Sequence, residues 1–416
     1  MRRAALLAVG LLAAGWALTL WVAPWSDQRV HDLFVYRSFA APVLAGALPY
    51  RDVAFEYPPL AAPAIALPGL AGTGEETFRW AFALWALSAA AAVVLLCGAL
   101  ARAAGGGARR AMLAAALMPI LLGALVRTHF DLIPVALLLA GLLLLVRDRP
   151  QAGLAVLGLG AMTKAFPLVA VPVAVVWLVA RGRRRDAWQG ALACTAVIAV
   201  IAGATAAVSP GGAADAVRYH VDRPVQVESS PALVLLGLDA AGAGEATSVA
   251  SHRSDGLLHP AADAVTSLFG AAFVAFLTLL CVGAARGAAR ERTEVGNRGA
   301  RELVIAALAA CAAFALLGKV LSPQFVIWMA PLGALALAWR VHALAAAVAL
   351  AAVLTQIEFP AHYFDVVARE PLATGLVAAR NFALLAVLAL SVRALQLRRH
   401  KQLLDRGRAA LAVRLD

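Results

Sequence analysis

Long apolar runs recur from one end of the chain to the other, and they decide what it can fold into before any motif is considered. They occupy residues 4–24, 78–100, 111–127, 131–146, 152–163, 165–180, 188–208, 261–285, 302–319, 323–339, 341–358 and 371–394. A soluble core built from 416 residues cannot hide that much apolar surface, and the mean hydropathy of +0.82 with 14% charged residues says the same. Lipid must therefore be much of the solvent. The expectation is an all-α polytopic membrane protein with about twelve transmembrane helices, forming a single domain over residues 1–394 with a basic cytoplasmic tail over 395–416.

The opening run follows Arg2 and Arg3 and is long enough to cross a hydrocarbon core of about 30 Å. It lacks a clear small-x-small cleavage site and reads as an uncleaved first helix. Residues 58–72, PPLAAPAIALPGLAG, are also apolar, but they carry four prolines and are too few for a full crossing. They are expected to be a re-entrant or interface-lying part of a first outer loop over 25–77, tolerable at membrane depth only where protein covers the backbone.

Charge orients this scheme. The segments assigned to the cytoplasm (1–3, near 101–110, 147–151, 181–187, 286–302, 340 and the tail after 392) hold 24 of the 36 Lys and Arg but 7 of the 24 Asp and Glu. The other side keeps 12 basic and 17 acidic residues. That asymmetry follows the positive-inside rule and puts both termini in the cytoplasm. The formal charge of +12 is thus a topology signal, and nucleic acid is not an expected partner. Cys97, Cys194, Cys281 and Cys311 all fall within apolar runs and read as packing residues. Thirty-three Arg against three Lys in an Ala-rich chain suggest a GC-rich genome, and with it a bacterial plasma membrane.

The polar residues that remain near helix ends then collect on the outer side. Asp27, Asp32, Asp52 and Glu56 lie in the first loop; Arg127, His129 and Asp131 lie in the turn RTHFD; Lys164 lies in TKAFP; Lys319 and Gln324 lie in GKVLSPQF; Glu358, His362 and Asp365 lie in EFPAHYFD. Ionisable groups at such depth are costly unless they face a cavity or one another, so the cluster marks a site. The fifth and sixth runs are short, which would recess Lys164 and Arg127 in a basic chamber suited to an anionic lipid headgroup. Where basic residues are otherwise Arg, Lys164 and Lys319 suit a phosphate oxygen approached as a point charge. The long outer loop, 209–260, is expected to place RYHVDRPVQVE as a short helix or strand over the cavity. Its remainder, DAAGAGEATSVASHRSDG, is expected to be a mobile loop.

The blocks DLFVY (32–36), GALPYRD (46–52) and FEYPPL (55–60) resemble the first outer loop of glycosyltransferase family 87, and TKAFP, RPVQVESSP (223–231) and GKVLSPQF are similar to its later blocks. These are polyprenyl-phosphate-mannose-dependent mannosyltransferases of actinobacteria. The resemblance implies a C-type (GT-C) membrane glycosyltransferase fold, a polyprenyl-phosphate sugar donor, chemistry on the outer face, and a catalytic base on the first outer loop that maps onto Asp32, with Asp27 as rival.

Inverting transfer requires a carboxylate to accept the proton of the attacking hydroxyl and cations to stabilise the departing phosphate. Asp32 is the candidate base, and Lys164, Lys319, Arg127 and Arg223 are candidate phosphate ligands. Tyr36, Tyr57 and Trp25 are candidates for stacking on sugar rings, Glu56 and Gln324 for binding hydroxyls, and His129 with Asp131 for a proton relay or an interhelical pair. Lys and Arg can neutralise a monophosphate leaving group, so no metal or other cofactor is required, although Asp27, Asp32, Asp52 and Glu56 leave a metal open. The acceptor is expected to be a glycolipid or glycan. Three alternatives stay open: a transporter or lipid flippase, which should show repeats that are not evident here, an arabinosyl or glucosyl transferase of the same fold, and a catalytically dead scaffold.

Overall fold

The computed structural model describes residues 2–290 and 299–412, and side chains within 2–286 and 299–396. Residues 291–298 of the expected cytoplasmic loop at 286–302 and most side chains of the tail thus lie outside the described residues. Nineteen α-helices are described. The first half of the chain forms α1 (Arg2–Trp21), α2 (Leu33–Leu44), α3 (Ala61–Ala66), α4 (Glu75–Ala103), α5 (Ala108–Ala115), α6 (Met118–Leu122), α7 (Leu125–Thr128), α8 (Leu132–Val146), α9 (Pro150–Thr163) and α10 (Ala170–Ala180). The second half forms α11 (Arg184–Val208), α12 (Pro210–Asp222), α13 (Ser230–Ala240), α14 (Ala262–Arg290), α15 (Ala300–Leu317), α16 (Val326–Ala338), α17 (His342–Glu358), α18 (Tyr363–Val367) and α19 (Pro371–Ala412).

Six of the twelve expected crossings, in α1, α4, α11, α14, α15 and α19, are helices both long and apolar enough to span a bilayer. The other six are shorter. The run 111–127 breaks into α5, α6 and α7, with Pro119 opening α6 and Gly123 leaving it at φ +55°. Expected residues 395–412 of the tail continue α19 as helix. Residues 58–72 form α3 and a 3-10 turn (Leu67–Ala71) rather than a crossing. Protein covers their backbone: Leu60 N–H donates to Met162 O at 2.8 Å, and Trp85 Nε1 to Ala64 O at 3.1 Å.

Burial sorts the helices. α15 is enclosed on all sides, and its alanines from Ala306 to Ala313 let α10, α14, α16 and α19 approach it closely. α11 and α14 are equally apolar yet almost unburied, so their faces belong to lipid. α8 and α9 are short, and their axes come close where Gly141 and Gly153 meet. A Cβ on Gly153 would lie 2.9 Å from Gly141 O and 3.0 Å from Leu145 N.

Length then creates depth. At 1.5 Å per residue α9 is about 21 Å long, while α11, packed along it, is about 38 Å. The end of α11 overshoots that of α9 and, with α12, stands as a wall above it. The long segment after α11 is folded rather than mobile. Strands β1 (Val225–Gln226), β2 (Thr247–Ser251) and β3 (Ser254–Leu258) form an antiparallel sheet in the order β1-β3-β2. The β2–β3 turn places His252 and Arg253 at φ +51° and +53°, a conformation usually signalled by Asn or Gly, which is why the hairpin was not legible. Val225, Val227, Leu235, Leu257, Val366 and Val377 form a second small core beneath it.

The Gly141–Gly153 contact yields a test. Gly153→Ala should lower thermal stability in detergent by about 1–3 kcal/mol, because backbone cannot give way. Gly10→Ala, where a Cβ meets nothing within 4 Å, should be neutral or slightly stabilising.

Candidate active site

The ends of α9, α11, α12 and α15, His129 and the segments 30–32, 56–59, 223–228, 252–254 and 318–328 enclose a cavity of about 1020 Å³. Asp32, Glu56, Tyr57, His129, Lys164, Arg223, Lys319 and Gln324 all line it. Distant parts of the sequence are thereby brought to one recess, with Lys164 and Lys319 on the same side as the acidic first segment.

Asp32 immediately precedes α2, in the position where an Asp ordinarily caps a helix, yet its carboxylate makes no bond to the helix amides. It turns instead to Tyr36, whose hydroxyl donates to Oδ2 at 3.2 Å, and to His129, whose Nε2 lies 3.5 Å away. The Asp32 side chain stays 32% exposed, whereas His129 is buried. The ring proton of His129 follows from its other nitrogen. Thr128 Oγ1 donates to Ala124 O at 2.9 Å and so offers a lone pair to Nδ1 at 3.0 Å, and Leu125 O lies 3.3 Å from the same atom. Two acceptors assign the proton to Nδ1 in the neutral ring, leaving the Nε2 lone pair toward Asp32. A proton arriving on Asp32 has a second acceptor beside it.

The other first-loop carboxylates are occupied. Asp27 pairs with Arg29 at 3.1 Å and Asp52 with Arg51 at 2.9 Å, and neither lines the cavity. Glu56 pairs with Arg253 at 3.2 Å. Burial raises the Glu56 carboxyl and the Arg253 charge opposes that rise. Burial lowers His31 at the cavity rim, reinforced by His129 and opposed by Asp32. Burial likewise lowers the Lys319 ammonium, with Asp222 opposing.

Four expectations are corrected. Arg127 does not line the cavity: its guanidinium donates to Thr19 O at 2.8 Å, Gln28 Oε1 at 2.7 Å and Ser26 O at 3.3 Å, stapling the end of α1 to α7. Tyr36 is fully buried with its ring stacked on Phe82, so it holds Asp32 rather than a sugar ring. Asp131 is fully buried and faces Lys164, not His129. Lys164 Nζ donates to both of its oxygens at 2.7 and 2.8 Å, and Trp328 Nε1 to Oδ1 at 2.5 Å. Trp25 is likewise withdrawn, donating from Nε1 to Ile120 O at 2.8 Å. Tyr57 does line the cavity, edge-on to Phe130 and Phe55.

The sequence reading did not assign a role to Arg253, Tyr219, Gln226 or Glu228, all of which line the cavity. Arg253 crosses from the hairpin tip to Glu56, its guanidinium 4.7 Å from the Phe39 ring. Among the described residues neither Lys319 nor Arg223 forms an ion pair with a carboxylate within 4 Å; Lys319 Nζ donates to Val221 O at 2.6 Å. Among the described residues no three side chains of metal-ligating type converge.

The sequence model of glycosyltransferase family 87 matches residues 55–323. The chain belongs to glycosyltransferase family 87. It is an all-α multi-pass membrane glycosyltransferase. The match begins beyond Asp32, so that residue's place in the site rests on the geometry above. No curated protein matches the chain. A solved structure similar to it is the oligosaccharyltransferase of Archaeoglobus fulgidus, crystallised with a tethered acceptor peptide; identity is 15% and TM-score 0.43, over 93% of this chain and 55% of that one. The chain thus spans about half the length of that structure.

The two aspartates of this family 87 site should behave oppositely. Asp131→Asn leaves a buried ammonium without its counter-charge and should cost about 3–5 kcal/mol. Asp32→Asn keeps an uncharged isostere in a partly exposed position and should unfold at the wild-type temperature. Thermal unfolding of the two variants in detergent measures both.

Proposed function

We propose that this family 87 glycosyltransferase moves a hexose, mannose, from a polyprenyl-phosphate donor to a glycolipid or glycan acceptor at the outer face of a bacterial plasma membrane, with inversion. The observation that carries the reading is the sharing of one recess, among the described residues, by an Asp paired with no Lys or Arg and by two cations in no ion pair with a carboxylate within 4 Å, beneath a wall that lipid reaches.

In this mechanism Asp32 accepts the proton of the acceptor hydroxyl as its oxygen bonds to the anomeric carbon. The bond from that carbon to the phosphate oxygen breaks, and the electron pair leaves with the phosphate. Lys319 and Arg223 meet the developing charge, since among the described residues neither is ion-paired with a carboxylate within 4 Å. Lys164 lines the cavity but is matched by Asp131, so its first task is to hold the floor. Ala202, Thr205 and Ala206 of α11 line the cavity from a helix otherwise turned to lipid, which supports a path along which the polyprenyl chain extends into the bilayer. The charge asymmetry of the loops supports the outward orientation.

Membranes or purified protein supplied with labelled polyprenyl-phosphate mannose and an acceptor extract test the reading, with glucosyl and arabinosyl donors alongside. Asp32→Asn should lower kcat by about 10²- to 10⁴-fold with little change in donor KM. Lys319→Ala should mainly raise donor KM. Preference for the glucosyl or arabinosyl donor would replace the sugar assignment, and full activity of Asp32→Asn would remove the base.

A further inference from the structure

A second cavity of about 740 Å³ lies on the far side of Lys319 and Arg223, which line both chambers. Its other polar lining comes from Asp222, Glu245, Thr247, His259, Asp263 and Thr266. The volume falls within the range of about 300–1,000 Å³ usual for small-ligand sites. Nothing in the proposed transfer step uses it.

His259 is the most informative residue there. Its side chain is 8% exposed, and its Nδ1 accepts the backbone N–H of Ala261 at 3.0 Å. With that lone pair engaged, the neutral ring carries its proton on Nε2. Nε2 is buried and has no hydrogen-bond partner, although a buried N–H ordinarily has one. Gly244, at φ +125°, passes directly over this edge of the ring. A Cβ there would sit 2.9 Å from Nε2, so the ring is held against glycine backbone and presents its other atoms to the cavity.

Charge selects the ligand class. Three carboxylates against two permanent cations give the lining one formal negative charge, which disfavours a second phosphate or an acidic headgroup. The lining nevertheless offers both donors (Lys319, Arg223 and the hydroxyls of Thr247 and Thr266) and acceptors (Asp222, Glu245, Asp263). A hydroxyl both donates and accepts, so a ligand carrying many hydroxyls and no charge satisfies both sets, the carboxylates through charge-assisted bonds. We propose that this second cavity binds the non-reacting sugar units of a neutral glycan acceptor, in continuity with the reaction chamber across Lys319 and Arg223. The proposal rests on the reading of the chain as a transferase to a glycan, and it names the site that would set acceptor length and identity.

The test uses the full chain in detergent with α-linked mannotriose, methyl α-mannoside and inorganic phosphate as probes, read by saturation-transfer NMR. Two variants remove the site differently: Glu245→Ala with Asp263→Ala deletes exposed acceptors, and Thr247→Trp fills the space. Mannotriose should bind the wild type and bind each variant about 10-fold or more weakly, the loss of one charge-assisted hydrogen bond or more. In transfer assays the acceptor KM should rise by a similar factor while donor KM and donor hydrolysis stay unchanged. Mannotriose binding that is absent in the wild type, equal in both variants, or displaced by inorganic phosphate overturns the proposal. If wild type neither transfers nor hydrolyses any hexosyl donor while the trisaccharide still binds this cavity, the function assigned above fails and the carbohydrate site stands.

Discussion

The buried pair between Lys164 and Asp131 is the constraint from which the site's geometry follows. Both residues terminate short helices, Lys164 after α9 and Asp131 before α8, and those helices pack closely enough for Gly141 and Gly153 to touch. Asp131 is fully buried and Lys164 nearly so. An unpaired charge here would be expensive, but the bidentate contact and the Trp328 N–H leave neither group unsatisfied. The pair also fixes the aromatic floor, with Lys164 Nζ 4.8 Å from the Phe130 ring and Phe166 stacked on Trp328 at 4.2 Å. Because α8 and α9 end early, this floor lies below the rim raised by α11 and α12. The depth of the cavity is thus a consequence of two helices stopping short at a closed ion pair.

Above that floor, chemistry is assigned by subtraction. Four carboxylates crowd the first segment, and composition alone cannot rank them. Neighbouring arginines occupy Asp27 and Asp52, and the hairpin tip occupies Glu56. Asp32 alone keeps a partly exposed carboxylate held by a hydroxyl and an imidazole rather than a cation. It also forgoes a helix cap, a contact generally worth about 1 kcal/mol. A residue that gives up local stability to face a cavity is what a functional constraint produces.

This contrast explains what the sequence could convey. Hydropathy runs and loop charge were legible because lipid imposes them along the chain, and the recess was legible because ionisable residues near helix ends must gather somewhere. Which neighbour each would meet was not. Asp131 and His129 are two residues apart, yet they face Lys164 and Asp32 respectively, since the turn before α8 sends alternate side chains to opposite sides. Arg127 reads as another cation of the cluster, but its partners are carbonyls and an amide reached through the break of α6 and α7, a break that Pro119 announces only weakly. The hairpin carrying Arg253 was hidden because residues with large side chains occupy its left-handed turn positions.

A second buried lock shows why the later blocks matter although they bear none of the proposed acid–base chemistry. Arg380, in the interior of α19, lies 3.5 Å from Glu228 and 3.3 Å from Glu358, all three wholly enclosed. Its guanidinium also donates to Glu228 O at 2.6 Å, while Asn381 donates to the same oxygen at 3.3 Å. Gln226 closes the group by donating to Glu228 Oε2 at 3.0 Å and joins it to the loop after α15 through Lys319 O. Two carboxylates on one guanidinium are not a strong source of stability, and an apolar replacement of similar shape can do as well. What such a lock supplies is register. It fixes residues 223–229 relative to α17, α19 and the Lys319 loop, and those are the segments that carry Arg223 and Lys319 to the wall between the two cavities. The cations facing the recess are therefore placed in part by Glu358 and Arg380, which do not line it, so sequence blocks far from Asp32 are as constrained as the first loop.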